Sequence, residues 1–516
     1  MKKIPVITGA EAADMVKSGQ TVVTGGFVGS CCPETLTKAL EKRFLETGEP
    51  SGLTLYYAAA QGNRDGSGAD HFAHQGMVKR VVGGHWNMVP ELGKMVNAEQ
   101  IEGYNLPQGT ISQLFRDIAA GRPGTITHVG LNTFVDPLNQ GGRLNRITTE
   151  DLVEHVEISG RDCLLYKSVP IDVAMIRGSY ADEYGNISVE HEVASLDSTA
   201  IAQAARNSGG KVIVQVEKIV KSGSLDPRLV KIPRIYVDAV VLAGAGEHEQ
   251  CFGHEFDSTL TGECKAPDGA TEADELCPKK IIGRRAALEL KEDSVVNLGI
   301  GIPEYISRVA SEEGISDYMT LTVEAGPVGG IPMGGSQFGA SRNADAILDQ
   351  SIQFDFYDGG GVDLAFLGLA QADEHGNINV SKFGPRIAGC GGFINITQNA
   401  KKVFYCGTFT AGGMKADISD SGITITREGK VKKFLKDVEQ ITFSGEYANK
   451  VGQPVMYITE RAVFELRPDG VYLTEIAPGI DLQKDILDQM EFVPKTDKNV
   501  KLMDARIFRE QPMGLK

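Results

Sequence analysis

Asp172-Val173-Ala174-Met175-Ile176-Arg177-Gly178-Ser179-Tyr180-Ala181-Asp182-Glu183-Tyr184-Gly185-Asn186-Ile187-Ser188-Val189 is echoed by Asp363-Leu364-Ala365-Phe366-Leu367-Gly368-Leu369-Ala370-Gln371-Ala372-Asp373-Glu374-His375-Gly376-Asn377-Ile378-Asn379-Val380. The spacing is a constant 191 residues, from position 172 to position 363, without a gap. Each copy reads as a buried strand, an acidic Gly-Asn turn and a second strand. A glycine loop recurs with them, with a small gap: Val22-Val23, Gly25-Gly26 and Pro33-Glu34 correspond to Val295-Val296-Asn297-Leu298-Gly299-Ile300-Gly301-Ile302-Pro303-Glu304. Repeats this far apart are domain-sized, so they describe two related α/β halves rather than a solenoid. We expect an open-sheet α/β domain over 1–245, a linker over 246–280 rich in Gly, Glu and Asp, and a second such domain over 281–516.

The 516 residues, 41% hydrophobic and 23% charged, suit a globular protein with large cores. The net charge of -16 argues against a nucleic-acid partner, which needs a basic face, and gives no basic patch for anionic membranes. No apolar run approaches the ~20 residues of a bilayer span. The amino terminus has two lysines but no apolar core of a secretory signal, so a cytoplasmic location is expected. The eight cysteines form no CxxC pair and read as reduced thiols.

Working outward, Met319 to Val323 read as a buried strand, and Gly326, Pro327 and Gly329-Gly330 stop it. Glu324 then stands at the carboxyl end of a strand, where open α/β sheets keep their ligand crevice. A carboxylate there, beside glycines that admit a large ligand, is a candidate nucleophile; the plain alternative is a turn residue satisfying backbone amides. Strand Thr21–Thr24 followed by Gly25-Gly26-Phe27 and a helix opening at Pro33 has the layout of an anion site, but matches neither Walker A nor GxGxxG. Thr8 and Glu11 form a capping box for a helix over 8–19. Tyr104 to Gly109 is a turn before a helix, with Gln108 available to line a pocket. Gly389-Cys390-Gly391-Gly392 exposes amides that could hold a negative oxygen. Val455–Glu465 and Gly470–Glu475 read as strands, and Ile480–Met490 as a helix. His71, His74 and His85 near Asp65 and Asp70, like His248, Cys251 and His254, fit no standard zinc spacing; loop and helix-surface contacts are expected, and no metal.

Taken in order along the whole chain, these motifs resemble the family I CoA-transferases, most closely the single-chain propionate (acetate) type. The likeness includes Gln61-Gly62-Asn63-Arg64-Asp65-Gly66. It implies a CoA-transferase fold, a homodimer or homotetramer, and transfer of CoA between short-chain acyl-CoA and a free carboxylate. No cofactor is implied beyond coenzyme A as substrate. By the resemblance the nucleophile falls on Glu324. Amides for the oxyanion and for CoA fall on Gly299, Ile300 and Gly301 and on Gly389, Gly391 and Gly392. Gly25, Gly26 and Phe27, with Gln108, face the acyl group. Cys31-Cys32 departs from the small or apolar residues common in relatives. The rival readings are an acyl-CoA hydrolase and a non-catalytic protein that binds CoA or a sugar phosphate.

Overall fold

The computed structural model describes residues 2–267 and 274–516. The centre of the expected linker, 268–273, lies outside the described residues. Two compact units emerge. One comprises 1–266, 323–355 and 383–395; the other comprises 267–322, 356–382 and 396–516. They do not coincide with the expected 1–245, 246–280 and 281–516. Two segments of the second half pack with the first unit, and the reason is local. Val323, Ala325 and Ala340 share a core with Phe27, Val28 and Leu196. Ile387 joins the core around Trp86 and Val89, and Trp86 N–H donates to Ala388 O at 2.8 Å. Glu324 thus packs with the first unit, although sequence order put it in the C-terminal domain.

In the first unit eight parallel strands form one sheet: β1 (Val6–Ile7), β2 (Thr21–Thr24), β3 (Leu53–Tyr57), β4 (Val78–Gly83), β5 (Glu102–Asn105), β6 (Val173–Arg177), β7 (Lys211–Val216) and β8 (Ala239–Leu242). Their order is β1-β8-β7-β6-β2-β3-β4-β5. Parallel strands need both faces covered, which explains why β3 and β6 are buried at every position. From β2 the chain steps outward to β5, then returns to β6 on the other side of β2. The strand order therefore reverses between β2 and β6, and the carboxyl ends there open a crevice.

The second unit holds β9 (Ser294–Leu298), β10 (Met319–Thr322), β11 (Leu364–Gly368), β12 (Lys402–Cys406), β13 (Val455–Ile458), β14 (Ala462–Arg467), β15 (Gly470–Ile476) and β16 (Lys495–Leu502), in the order β10-β9-β11-β12-β13-β14-β15-β16. The first five are parallel. Order reverses between β9 and β11, as it does between β2 and β6.

The repeat survives down to single hydrogen bonds. Asp172 accepts from Thr21 N–H and Asp363 from Val295 N–H, both at 2.8 Å. Gly25 N–H donates to Met175 O and Gly299 N–H to Phe366 O. Asp182 cages its turn through Tyr184 N–H, Asn186 N–H and the Asn186 amide; Asp373 does the same through His375 and Asn377. These pairings match Thr21, not Val22, with Val295, and push the gap into the glycine loop itself.

Local expectations fared unevenly. The helix capped by Thr8 and Glu11 runs only over Gly9–Asp14. The helix after the first glycine loop is Glu34–Thr47, with Pro33 as its cap. The stretch read as one strand over Val455–Glu465 is two, β13 and β14, because Thr459 and Ala462 close a tight turn between them. Ile480–Met490 is helical only in part, as a π-helical turn over Leu482–Ile486 followed by a 3-10 turn over Leu487–Gln489 rather than one α-helix. Among the described residues no helix is long and apolar enough to cross a membrane.

Candidate active site

Glu324 sits in the turn that begins as the chain leaves β10. Gly326 N–H donates to Val323 O at 3.0 Å, and Val323 N–H donates to Pro327 O at 2.9 Å. Val323 and Ala325 point into core, so the part-exposed Glu324 between them is held between two anchors. Among the described residues its carboxylate has only its own backbone N–H as partner, and burial pushes its pKa up to about 7. A carboxylate with no cationic partner and a raised pKa is spare for chemistry; a structural turn residue would have bound its neighbours' amides.

The first glycine loop packs against that turn. An ideal Cβ on Gly339 would stand 2.6 Å from Phe27 and 3.4 Å from Ala325 Cβ, and the Phe27 and Phe338 rings lie 5.6 Å apart. Gly26 has φ +139°, and a Cβ there would press on Gln61 Cγ at 2.9 Å. Gln61 in turn donates Nε2 to Thr24 O at 2.8 Å. Val28 is left-handed at φ +54°, a conformation a β-branched residue avoids. It is held there by Val28 N–H to Ala60 O and Gly62 N–H to Val28 O. Strain so firmly held is a mark of functional loops.

Gln108, also in the first unit, opens the helix Gln108–Ala119 and donates its N–H to Gly391 O at 2.9 Å. The Gly389–Gly392 loop is clamped by Asn105. The Asn105 oxygen accepts from Cys390 N–H at 2.9 Å, and its amide nitrogen donates to Gly83 O and Gly84 O. His85 pairs with Gly389 across a bridge. Burial, helped by Arg64 and Arg386, pulls its pKa down to about 4, so it is neutral. The sequence singled out His85 only as a metal ligand to be set aside, and did not single out Asn105, whose one signal was an amide ending a strand just before Leu106-Pro107.

The amides expected for the oxyanion and for CoA differ in what they already bind. Gly391 N–H is spent on Gly84 O at 2.7 Å, Gly299 N–H on Phe366 O at 2.8 Å, and Gly301 N–H on the Glu304 carboxylate at 2.8 Å. A committed donor cannot also hold a transition-state oxygen. Among the described residues Gly26, Ile300, Gly389 and Gly392 keep N–H groups without a protein acceptor. The structure thus brings the Gly25–Phe27 loop together with the Glu324 turn, and Gln108 together with Gly391. Gly299, Ile300 and Gly301 lie in the second unit, where β9 ends beside β11.

The histidine groups resolve into ordinary contacts. His71 is bonded to Glu34 at 2.8 Å and to Glu41 at 2.6 Å, and His74 to Glu41 at 2.6 Å. His254 meets Ser336, Cys251 meets Ser30, and His248 meets Gln215. Beyond β6 and β7 a cavity of about 610 Å³ is lined by Arg177, Glu192, Glu217, Glu249 and Glu255 among others. His191, His248 and His254 line it too, and Glu192 pairs with Arg177 through two bonds of 2.9 and 3.0 Å, so that guanidinium is already engaged.

A family model described as coenzyme A transferase matches residues 6–243. Caffeate CoA-transferase of Acetobacterium woodii is 46% identical over 99% of this chain and 98% of its own length. The chain belongs to the coenzyme A transferase family. Acetate CoA-transferase YdiF of Escherichia coli K12 is 42% identical, covering 99% of this chain and 96% of its own. The crystal structure of acyl-CoA transferase YdiF from Escherichia coli O157:H7, a thioester complex with CoA, matches with a TM-score of 0.94 at 41% identity. That match covers 100% of this chain and 98% of the other. The α/β architecture described above is accordingly the CoA-transferase fold, and the chain is a CoA-transferase.

Proposed function

We propose that this CoA-transferase moves CoA between a short-chain acyl-CoA and a free short-chain carboxylate, acetate and propionate among them, by a ping-pong route through a glutamyl-CoA thioester on Glu324. The observation that carries the reading is the Glu324 carboxylate itself. It is fixed in position by the flanking Val323 and Ala325, lacks a cationic partner, and titrates near neutrality.

A free carboxylate is a poor electrophile, and the chemistry turns on making it a better one. The Glu324 oxygen attacks the acyl-CoA carbonyl, the C–S bond breaks, and a mixed anhydride and CoA thiolate result. The thiolate attacks the glutamyl carbonyl, expelling the first acid as its carboxylate and leaving glutamyl-CoA. A second carboxylate attacks that thioester, giving a new anhydride and thiolate. Thiolate attack on the new acyl carbonyl then releases the new acyl-CoA and restores Glu324. One thioester is exchanged for another, so the reaction has no need of ATP or a metal. Each addition puts negative charge on a carbonyl oxygen. Uncommitted amides such as those of Gly26, Gly389 and Gly392 are suited to hold it, a donor of this kind being worth on the order of 3 kcal/mol.

The same reading has the enzyme acting in the cytoplasm as a homodimer or homotetramer. Light scattering of the purified protein measures the assembly, and dialysis against chelator should leave the rate unchanged. The direct test is to follow acyl-CoA consumption with and without acetate. Transfer predicts propionyl-CoA converted to acetyl-CoA with parallel lines in double-reciprocal plots and little free thiol. Stoichiometric thiol release without acetyl-CoA would make the protein a hydrolase. Glu324→Ala should lower transfer by about 10⁴-fold or more with an unchanged melting temperature; an active variant overturns the assignment.

A further inference from the structure

Four buried side chains of the first unit form a closed circuit. Gln108 and Ser112 lie one helical turn apart on the same face of the helix Gln108–Ala119. Gln108 Nε2 donates to Gln350 Oε1 at 3.2 Å, and Gln350 Nε2 donates to Asp197 Oδ2 at 2.8 Å. Ser112 Oγ donates to the other Asp197 oxygen, which closes the ring. All four residues are buried.

We propose that Asp197 and Gln350 are positioning residues that hold the Gln108 amide with its oxygen turned toward the Gly389–Gly392 loop, and that this makes the acyl pocket select against acids bearing a second carboxylate. The inference rests on the reading that Gln108 lines the acyl pocket. Its logic is directional. The two ends of a glutamine amide have nearly the same shape, so their orientation is decided by hydrogen-bond partners. An ionised carboxylate only accepts. Asp197 therefore obliges Gln350 to present its nitrogen, which leaves the Gln350 oxygen facing Gln108. Gln108 must then answer with its own nitrogen, and its oxygen is directed away from the circuit.

That oxygen accepts no hydrogen bond among the described residues and stands over Gly391, 3.6 Å from where a Cβ would be. Its partial negative charge repels a carboxylate and accepts a hydroxyl. The circuit holds this polarity while Asp197 is ionised. The charged groups beside Asp197 are Asp349 and, through a bond of 3.0 Å to Asp349, Lys231. Burial and the Asp349 charge raise the pKa of Asp197 to about 7. The measurement therefore belongs at pH 8.

The test compares kcat/KM for propionate and for succinate as CoA acceptors, with acetyl-CoA as donor. The wild type should prefer propionate. Gln350→Leu and Asp197→Asn, which free the Gln108 amide to turn, should each narrow that preference by about tenfold, the worth of one hydrogen bond, mainly through a lower KM for succinate. In a Gln108→Ala background neither should change it, which a merely structural role would not predict. Two variants guard against one failing to fold. A wild type that takes succinate as readily as propionate overturns the inference. So does an unchanged ratio in folded variants, or a shift that persists without Gln108. Covalent labelling of each protein by acyl-CoA is read alongside. Failure of the wild type to label counts against the Glu324 mechanism. Normal labelling with an unmoved ratio counts against the Gln108 circuit alone.

Discussion

The loops that begin at Gly25 and Gly299 leave the central strands of the two sheets in the same way. In each, the first glycine spends its N–H on a neighbouring strand, Gly25 on Met175 and Gly299 on Phe366, and the N–H of the next residue, Gly26 or Ile300, stays uncommitted. Their surroundings differ. The first loop is enclosed, with Val28 and Cys31 forced to positive φ and Phe27 packed against the Glu324 turn. The second is open: Ile300 is 54% exposed, and a Cβ on Gly301 would meet nothing within 4 Å. The backbone pattern is kept while the packing around it differs, and we propose that this packing separates the loops' tasks. A closed loop suits a small acyl group that must be shielded from water, and an open one suits a large ligand such as CoA.

Substitution can break that contrast. Gly26→Val places a branched side chain at φ +139° against Gln61 and Cys32, and should cost about 2–3 kcal/mol in urea unfolding. Gly301→Val, at φ +89° in open space, should cost only about 1 kcal/mol but raise the KM for acyl-CoA about tenfold. If the two variants behave alike, the division of labour between the loops fails.

A tenfold change is also expected from pH. Glu324 reacts only as the carboxylate, and burial has raised its pKa to about 7. The kcat/KM for acyl-CoA should therefore climb about tenfold between pH 6 and pH 8 and level off above. The sign for stability is opposite. The folded state holds this proton more tightly than the unfolded chain, so the contribution is present at low pH and is lost as pH rises through about 7. A rate that falls over that interval would contradict the assignment.

The smallest effect tests the likeness of the loops rather than their difference. Asp172→Ala and Asp363→Ala each remove the acceptor for one strand amide and should each cost about 1 kcal/mol in chemical denaturation. Unequal losses would show that the matched bonds carry different loads; Asp363 also pairs with Lys401 at 2.7 Å.

Much of the scaffold was legible because it is local. The Asp172 and Asp363 repeats, the strand ahead of Glu324 and the glycine loops are written in runs of apolar and turn residues. What stayed hidden depends on partners distant in the chain. Whether the Gly299 or Gly391 amide is free is decided by Phe366 and Gly84, and no reading of the glycines alone reveals it. The return of 323–355 and 383–395 to the first unit follows from contacts with Leu196 and Trp86, remote in sequence. The Gln108–Gln350–Asp197 chain joins residues from three separate segments, none of which carries a motif. Periodicity also failed where one turn interrupts a run, as between β13 and β14.

The central claim is that one carboxylate takes CoA into covalent linkage. It is tested most directly by incubating the protein with propionyl-CoA alone, trapping it at mildly acid pH and digesting it for mass spectrometry. The account predicts that the peptide containing Glu324 gains the mass of CoA less one water, and that added acetate removes it with formation of acetyl-CoA. A protein that completes transfer while that peptide stays unmodified, or that carries the CoA on another residue, would contradict it.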